Sequence, residues 1–382
     1  MTLHAVAADT VFDGDTVHRD AAVIIEADCI RRLMPAGEVP ASLPMKRMPE
    51  EVWLAPGFID VQVNGGADVL FNDAPTSEGI GAIVAAHRRF GTTALLPTLI
   101  TDTADKMQAA RNAVDTAILR EPGVLGIHFE GPFLSPDRPG VHDPALIRTP
   151  DDADRKFLIR PAPGITVVTL APERVPAGFV AGLAKAGVRV CLGHSAASYD
   201  ETRTALAEGL AGFTHLFNAM PPMLARAPGP AAAALEMAGA WYGLIVDGVH
   251  VAPAMLRLAL RGAGRPMLVT DAMPPVGGSG QGFRLYGEEI VVSEGQCVRA
   301  DGTLAGSALD MASAVRNCVR LLGLGLPDAL RLASTEPAAF LGVDGRLGRL
   351  RSGYRADLVA LKPEPVRVIG TWVAGREYEV AD

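Results

Sequence analysis

Cysteine is scarce: Cys29, Cys191, Cys297 and Cys318 are scattered through 382 residues and form no Cys-x-x-Cys pair. No disulfide framework is expected, and a reducing, cytoplasmic setting fits best. No apolar run approaches the roughly 18 residues of a membrane helix, and the opening MTLHAVAADTVFDGD lacks the apolar core of a signal peptide. Basic charge is outnumbered, 35 Lys+Arg against 43 Asp+Glu for a net of −8, which argues against nucleic acid or a membrane surface as partner. No internal repeat is present, and the only compositional bias is the Ala-rich segment Ala231–Ala234. What remains, 49% hydrophobic and 20% charged residues, is the composition of a packed globule. The length allows one large domain or two unequal ones.

Apolar and polar residues alternate in short bursts near the start: Leu3–Val6, Val17–His18, Ala22–Glu26 and Ile30–Met34, with Asp13-Gly14-Asp15 as a turn. That pattern predicts antiparallel strands, and it breaks at Leu54-Ala55-Pro56-Gly57. The tail mirrors it in Gly353–Leu361, Val366–Ile369 and Thr371–Val373. Neither piece is long enough for its own core. A small β-sandwich domain built from both chain termini, residues 1–54 and 346–382, is therefore expected around a contiguous central domain, 55–345.

The centre contains eight strand candidates: Phe58–Val63, Thr93–Thr98, Val124–Phe129, Ile165–Leu170, Val188–Leu192, Gly212–Thr214, Gly243–Val246 and Met267–Thr270. Several are almost wholly apolar, as strands buried on both faces are. Helical patterns separate most of them: Ser77–Phe90, Ala104–Arg120, Pro176–Ala186, Ser198–Gly209, Pro230–Gly239 and Pro253–Gly262. Ala308–Leu322 and Pro327–Leu341 follow the last strand. Eight such units over roughly 290 residues predict an α/β fold, a TIM (β/α)8 barrel. A doubly wound sheet is the alternative, but no Gly-x-Gly-x-x-Gly follows the first strand. Two irregular connections, Asp137–Asp151 and Pro274–Ala300, follow the third and eighth strands and belong above the barrel mouth, where loops carry function. The second holds a hairpin pattern, Glu288–Val292 with Cys297–Arg299.

The stretch Val190–Met220 is the one around which the rest is organised. Two apolar runs each end in a polar cluster with one histidine, His194 and His215. Between them Ser198 reads as an N-cap, with Glu201 three residues on and Gly209 at the stop. In a parallel barrel both imidazoles then project from the carboxyl edge, where ligands bind. Reading past every strand end gives Gln62, Asn64, Thr98, Glu130, His194, His215, Asp247, His250 and Asp271. Glu130, His194 and His215 are N/O donors suited to a catalytic Zn²⁺ or similar ion with an open position for water. A buried carboxylate is costly unless paired or metal-bound, so Glu130 is a metal ligand or a salt-bridge partner. His128, two residues deeper, supports the site from below or packs. Cys191 lies at an odd offset from His194 on a strand, on the opposite face, and packs. Asp271 reads as a general base or as a turn aspartate, although the Met-Pro-Pro after Ala272 does not start a helix.

Seven motifs, in order, carry a resemblance: LAPGFIDVQVNGG, GIHFEGPF, GHSAAS, THLFNAM, DGVHV, LVTDAM and LAGS. Together they resemble the N-acetylglucosamine-6-phosphate deacetylases of the amidohydrolase superfamily, over nearly the whole chain. The resemblance implies hydrolysis of the N-acetyl group of N-acetyl-D-glucosamine 6-phosphate, giving D-glucosamine 6-phosphate and acetate. It implies Glu130, His194 and His215 as metal ligands and Asp271 as the catalytic aspartate. It assigns Val141 and His142 to a substrate-contacting loop, with His142 near the acetamido carbonyl. Asn218 and Ala219 would meet the phosphorylated sugar, Asp247 and His250 would add contacts, and Leu304, Ala305 and Gly306 would close over it. Arg226 and His250 are expected to reach the neighbouring active site of a homodimer. An arginine and a histidine beside backbone amides make a phosphate cradle in an otherwise acidic protein. Many superfamily members carry His-x-His on the first strand for a second metal; here Gln62-Val63-Asn64 stands there, and amides are poor ligands for such an ion. One divalent metal per subunit is expected, Zn²⁺ ahead of Fe²⁺ or Co²⁺, with Gln62 and Asn64 supporting its water. The alternatives are a deacetylase of N-acetylgalactosamine 6-phosphate or another N-acyl compound, a non-catalytic amino-sugar-phosphate binder, or a scaffold.

Overall fold

The computed structural model describes residues 3–379. Eight parallel strands form the inner wall of a barrel: Phe58–Val63, Thr92–Ile100, Gly126–Glu130, Ile165–Leu170, Arg189–Leu192, Gly212–Phe213, Trp241–Leu244 and Arg265–Leu268. They are hydrogen-bonded in that sequence order. Beyond Leu268 the eighth strand meets the first through the parallel bridge Val63↔Ala272 and a bond from the Asp271 N–H to the Gln62 carbonyl (3.1 Å). The first two strands are buried along their whole length, one face on the barrel interior and the other under helices. This is the (β/α)8 architecture that the spacing of apolar runs predicts.

The helices follow their caps. Ser198 and Glu201 form a reciprocal capping box at the start of Tyr199–Ala207. The pattern at Pro327–Leu341 becomes two helices, Leu326–Ala333 and Thr335–Leu341. Pro337 has no N–H for the preceding turn, so the chain breaks at Ser334 and restarts with the proline in a first turn. Met311–Asn317 starts on Asp310 as N-cap, three residues later than the apolar pattern does, and widens into a π-turn over Cys318–Leu322. A helix without an apolar signature, Asp152–Leu158, follows the long loop after the third strand, and the Asp151/Asp154 capping box nucleates it.

The terminal segments share one eight-stranded sheet, ordered Arg376–Glu379, Val366–Val373, Leu358–Pro363, Trp53–Pro56, Leu3–Phe12, Val17–Glu26 and Cys29–Pro35, with Met45–Arg47 also on Leu3–Phe12. The expected antiparallel pairing holds for its hairpins. Two pairs are parallel, Ala5↔Met45 and Thr10↔Trp53, because the chain crosses over after Pro35 and returns along Leu3–Phe12. Period-2 alternation gives the sheet two apolar faces. Val6, Ala8, Val23 and Ile25 pack on one, Ala5, Ala7, Ala22 and Ile24 on the other. Phe12, Val359, Leu361 and Val368 join the barrel's own core, and Arg331 donates to the carbonyls of Gly14 (3.3 Å) and Asp15 (2.8 Å).

A four-stranded antiparallel flap, Phe283–Leu285, Glu288–Ser293, Gln296–Val298 and Leu304–Ser307, follows the eighth strand. It contains the expected hairpin, extended by a strand on each side. Leu285, Ile290, Cys297 and Ala305 seat it on Leu70, Ile100 and Met273. No helix among the described residues is long and apolar enough to cross a membrane.

Candidate metal centre and active site

A cavity of about 520 Å³ opens at the carboxyl ends of the barrel strands. At its floor three side chains converge. His194 Nε2 and His215 Nε2 lie 3.1 Å apart, and both approach Glu130 Oε1, at 3.3 and 2.9 Å. All three residues are buried, and their donor atoms lie within 4.8 Å of one another. The His194 Nδ1–H donates to the Arg138 carbonyl (3.0 Å), which leaves the Nε2 lone pair aimed at the cluster. Two imidazole nitrogens and a carboxylate oxygen so arranged can share one cation. Burial opposes charge on Glu130 and His215, but the contacts of His194 and His215 hold the Glu130 carboxyl well below its usual range, and the bond to Glu130 holds the His215 imidazole above its own. A divalent ion about 2.0–2.1 Å from each donor would see them about 3.3 Å apart, close to the spacing observed. The donor set fits a metal.

The backbone is strained where these groups emerge. His194, His215, Ala219 and Asp271 have φ of 48°, 33°, 49° and 53°, a region that non-glycine residues rarely occupy. Each costs about 1–3 kcal/mol, which the packed surroundings must sustain. Just before the strain the strands end: His194 and His215 each stand two residues past the last paired residue of theirs.

Asp271 faces the cluster across the cavity floor. Asn64 Nδ2 and Gln62 Nε2 donate to its Oδ1 at 2.6 and 3.1 Å, and the same Gln62 amide reaches Glu130 Oε2 (3.1 Å). Burial, then the negative charge of Glu130, raises the Asp271 carboxyl to about 6. The structure thus puts the Gln62 amide between the two carboxylates and the Asn64 amide on Asp271; Asn64 lines the cavity while Gln62 lies under its floor.

His142 is 2% exposed, its ring edge-on to His194 with centroids 4.3 Å apart. Burial, reinforced by the neighbouring His194, holds its pKa well below the ordinary imidazole value, so it is neutral. Across the mouth, His250 Nδ1 lies 2.6 Å from Asp247 Oδ2. The other Asp247 oxygen accepts the N–H groups of Val249 and His250, at 2.8 and 2.9 Å. Burial pushes the Asp247 carboxyl up, but the bond from His250 outweighs it and the carboxyl sits below its usual range.

Of the residues singled out in the sequence, Asn64, Glu130, Val141, His142, His194, His215, Asn218, Ala219, His250, Asp271, Leu304 and Gly306 line this one cavity. Asp247 stands behind His250, and Ala305 is fully buried with its side chain in the flap core. Arg226 is exposed and outside the cavity of its own chain. His128 is beneath the floor, bonded to the Val61 carbonyl (3.1 Å) and Thr169 Oγ1 (2.7 Å). Cys191 is buried. Sequence reasoning missed Arg138 and Thr101. Arg138 contributes a cavity wall and the carbonyl that orients His194; nothing in its loop sequence marks it. Thr101, bonded to His142, follows the second strand, which runs to Ile100 rather than stopping at Thr98.

The comparisons agree with this geometry. The profile of the Amidohydrolase family matches residues 53–378. The chain is 43% identical over 326 residues to an N-acetylgalactosamine-6-phosphate deacetylase of Shewanella sp. (strain ANA-3), covering 84% of this chain and 82% of that protein. It is 33% identical over 368 residues to an N-acetylglucosamine-6-phosphate deacetylase of Haemophilus influenzae, covering 95% and 96%. The solved structure of N-acetylglucosamine-6-phosphate deacetylase from Pasteurella multocida superposes with a TM-score of 0.95 at 33% identity, over 99% of this chain and 100% of that one. With a matching barrel, a matching profile and a Glu-His-His cluster at the strand ends, the chain belongs to the amidohydrolase family.

Proposed function

We propose that this protein is a metal-dependent deacetylase that hydrolyses the N-acetyl group of N-acetyl-D-glucosamine 6-phosphate, giving D-glucosamine 6-phosphate and acetate. The observation that carries the reading is the placing of a buried carboxyl, Asp271, held by Asn64 and Gln62, across the cavity floor from a Glu-His-His donor set. Glu130, His194 and His215 would hold one divalent ion per subunit, zinc by donor chemistry. When bound, such an ion supplies Lewis acidity to the amide carbonyl and lowers the pKa of the attacking water. Asp271, held by Asn64 and Gln62, takes the water's proton as the new C–O bond forms. It returns that proton to the nitrogen as the C–N bond breaks, so the amine leaves neutral with acetic acid, which gives up its own proton to solvent and departs as acetate. His142, neutral and facing the cavity, donates a hydrogen bond to the carbonyl oxygen as charge develops on it. Asn218, Ala219 and His250 line the wall that would receive the sugar and its phosphate, with Val141 and Leu304–Gly306 closing over the ring.

Arg226 would complete the phosphate site of the neighbouring subunit in a homodimer. It supports that reading by standing outside its own cavity on an exposed turn, beside Met223 and Leu224, which are 42% and 58% exposed. The same reading takes residues 1–54 with 346–382 as a small β domain and 55–345 as the catalytic domain. It places the protein in the cytoplasm, where its four free thiols stay reduced. A second substrate is favoured by a specific observation: the Shewanella relative, 43% identical, is named for the galacto epimer. The deciding experiment measures metal per subunit and acetate release from both N-acetylhexosamine 6-phosphates. One metal with faster turnover of the gluco epimer supports the proposal, and faster turnover of the galacto epimer replaces the substrate. Two metals would overturn the role given to Gln62 and Asn64. Bound metal without acetate from either would overturn the reaction.

A further inference from the structure

We infer that Thr101 is a positioning residue that fixes His142 in the Nε2–H tautomer, and that Tyr286 of the flap holds Thr101 in place to do so. The inference rests on the reading above of His142 as the donor to the substrate carbonyl. Its geometry is independent of that reading.

His142 Nδ1 meets two atoms of one residue: Thr101 Oγ1 at 2.7 Å and the Thr101 backbone N–H at 3.3 Å. A backbone N–H can only donate. Nδ1 must therefore accept, which places the ring proton on Nε2. The hydroxyl, free to rotate, then donates to Nδ1 as well; its other acceptor, the Glu130 carbonyl, is farther at 3.5 Å. Thr101 is 1% exposed and His142 2%, so no bulk water competes for Nδ1. The Nε2–H, on the opposite edge of the ring, is the edge left to the cavity that His142 lines. A neutral imidazole of the other tautomer would present a lone pair to the carbonyl oxygen and repel it.

Thr101 is held in turn from the flap. The Tyr286 hydroxyl donates to the Thr101 carbonyl at 2.5 Å, across 185 residues of sequence. Tyr286 has a φ of 52°, a strained conformation at the turn between the Phe283–Leu285 and Glu288–Ser293 strands. Its ring also packs with the apolar cluster that seats the flap on Ile100 and Met273. The flap that supplies Leu304 to the cavity wall is therefore joined by one hydrogen bond to the residue that sets the proton position on His142.

The test is nitrogen-15 NMR of the zinc-loaded full chain labelled in its imidazoles, with the His142 resonance identified by its loss in His142→Gln. The tautomer is read from the two ring-nitrogen shifts. A protonated Nε2 and bare Nδ1 in the native chain, retained in Thr101→Ser and lost or mixed in Thr101→Val, supports the inference. A protonated Nδ1 in the native chain overturns it, whether or not the protein is active. Kinetically, Thr101→Val and Tyr286→Phe should each lower kcat for acetate release roughly tenfold with little change in KM, and Thr101→Ser should restore it. Equal loss in Thr101→Ser and Thr101→Val would reduce Thr101 to a packing role and also overturn the inference. A native tautomer as expected, in a protein that releases no acetate from any N-acetylhexosamine phosphate, would sink the proposed reaction and leave the positioning intact.

Discussion

Two layers of the barrel, two residues apart along the strands, hold the same kinds of side chain and use them differently. In the lower layer His128 is bonded at both ring nitrogens, and burial lowers its pKa to about 4. Asp60, two residues before Gln62, accepts from Thr270 Oγ1 (2.5 Å) and from the N–H groups of Gln62 (3.2 Å) and Thr270 (3.3 Å); burial raises it to about 7. In the upper layer His194 and His215 point nitrogen at nitrogen beside Glu130, and the backbone is strained. Residue type does not separate a catalytic layer from a supporting one. Satisfaction does: the lower groups have found partners within the fold, and the upper ones are held where only an added cation and a substrate complete them.

The sharpest way to break this comparison is to remove one member from each layer. Glu130→Gln should abolish metal retention and with it all activity, whereas His128→Asn should keep one metal per subunit and lose about 1–3 kcal/mol of stability from its broken hydrogen bonds. Metal analysis after dialysis, alongside thermal unfolding, checks both; metal loss from His128→Asn would merge the layers. Next, Asp271→Asn should lower kcat roughly 10³-fold with metal content unchanged, because an amide cannot take the proton. In the native chain acetate release should fall as pH drops through about 6, where the raised Asp271 carboxyl is neutralised, and a flat profile from pH 5 to 8 would exclude it as the base. A subtler effect belongs to Asp60. Its folded pKa of about 7 exceeds the ordinary 3.8, so the native state binds more protons between those values. Its contribution is greatest below about pH 4 and is lost as pH rises through 7, an amplitude on the order of 4 kcal/mol. Asp60→Asn should flatten that slope in a stability-against-pH series. Smallest of all, Ser198→Ala should cost about 1 kcal/mol through the lost cap and leave metal and turnover untouched; any change in metal content would show that the helix start helps to aim His194.

Much of the upper layer is legible because strand ends punctuate the sequence. His194 and His215 are marked by apolar runs that stop, and Ser198 with Glu201 marks the helix between them; all three features stand where the pattern puts them. Asp271 is marked by the same logic, as a lone carboxylate closing LVTDAM. Thr101 is lost through a boundary error of two residues, since a strand buried on both faces offers no alternation by which to locate its end. The helix at Asp152–Leu158 is lost because its signal is a capping box of two aspartates rather than an apolar stripe.

The sequence by itself determined the eight barrel strands and most of their helices, the histidines and acids at the strand ends, and a β layer drawn from both termini. Those follow from local periodicity and capping, which act over a few residues. Only the tertiary structure decided which groups meet: Gln62 reaching Asp271 across 209 residues, Tyr286 reaching Thr101 across 185, and Arg138 turning His194 through a backbone carbonyl. Such contacts arise from barrel closure and flap seating, where positions distant in the chain are fixed by packing, and no local pattern encodes them.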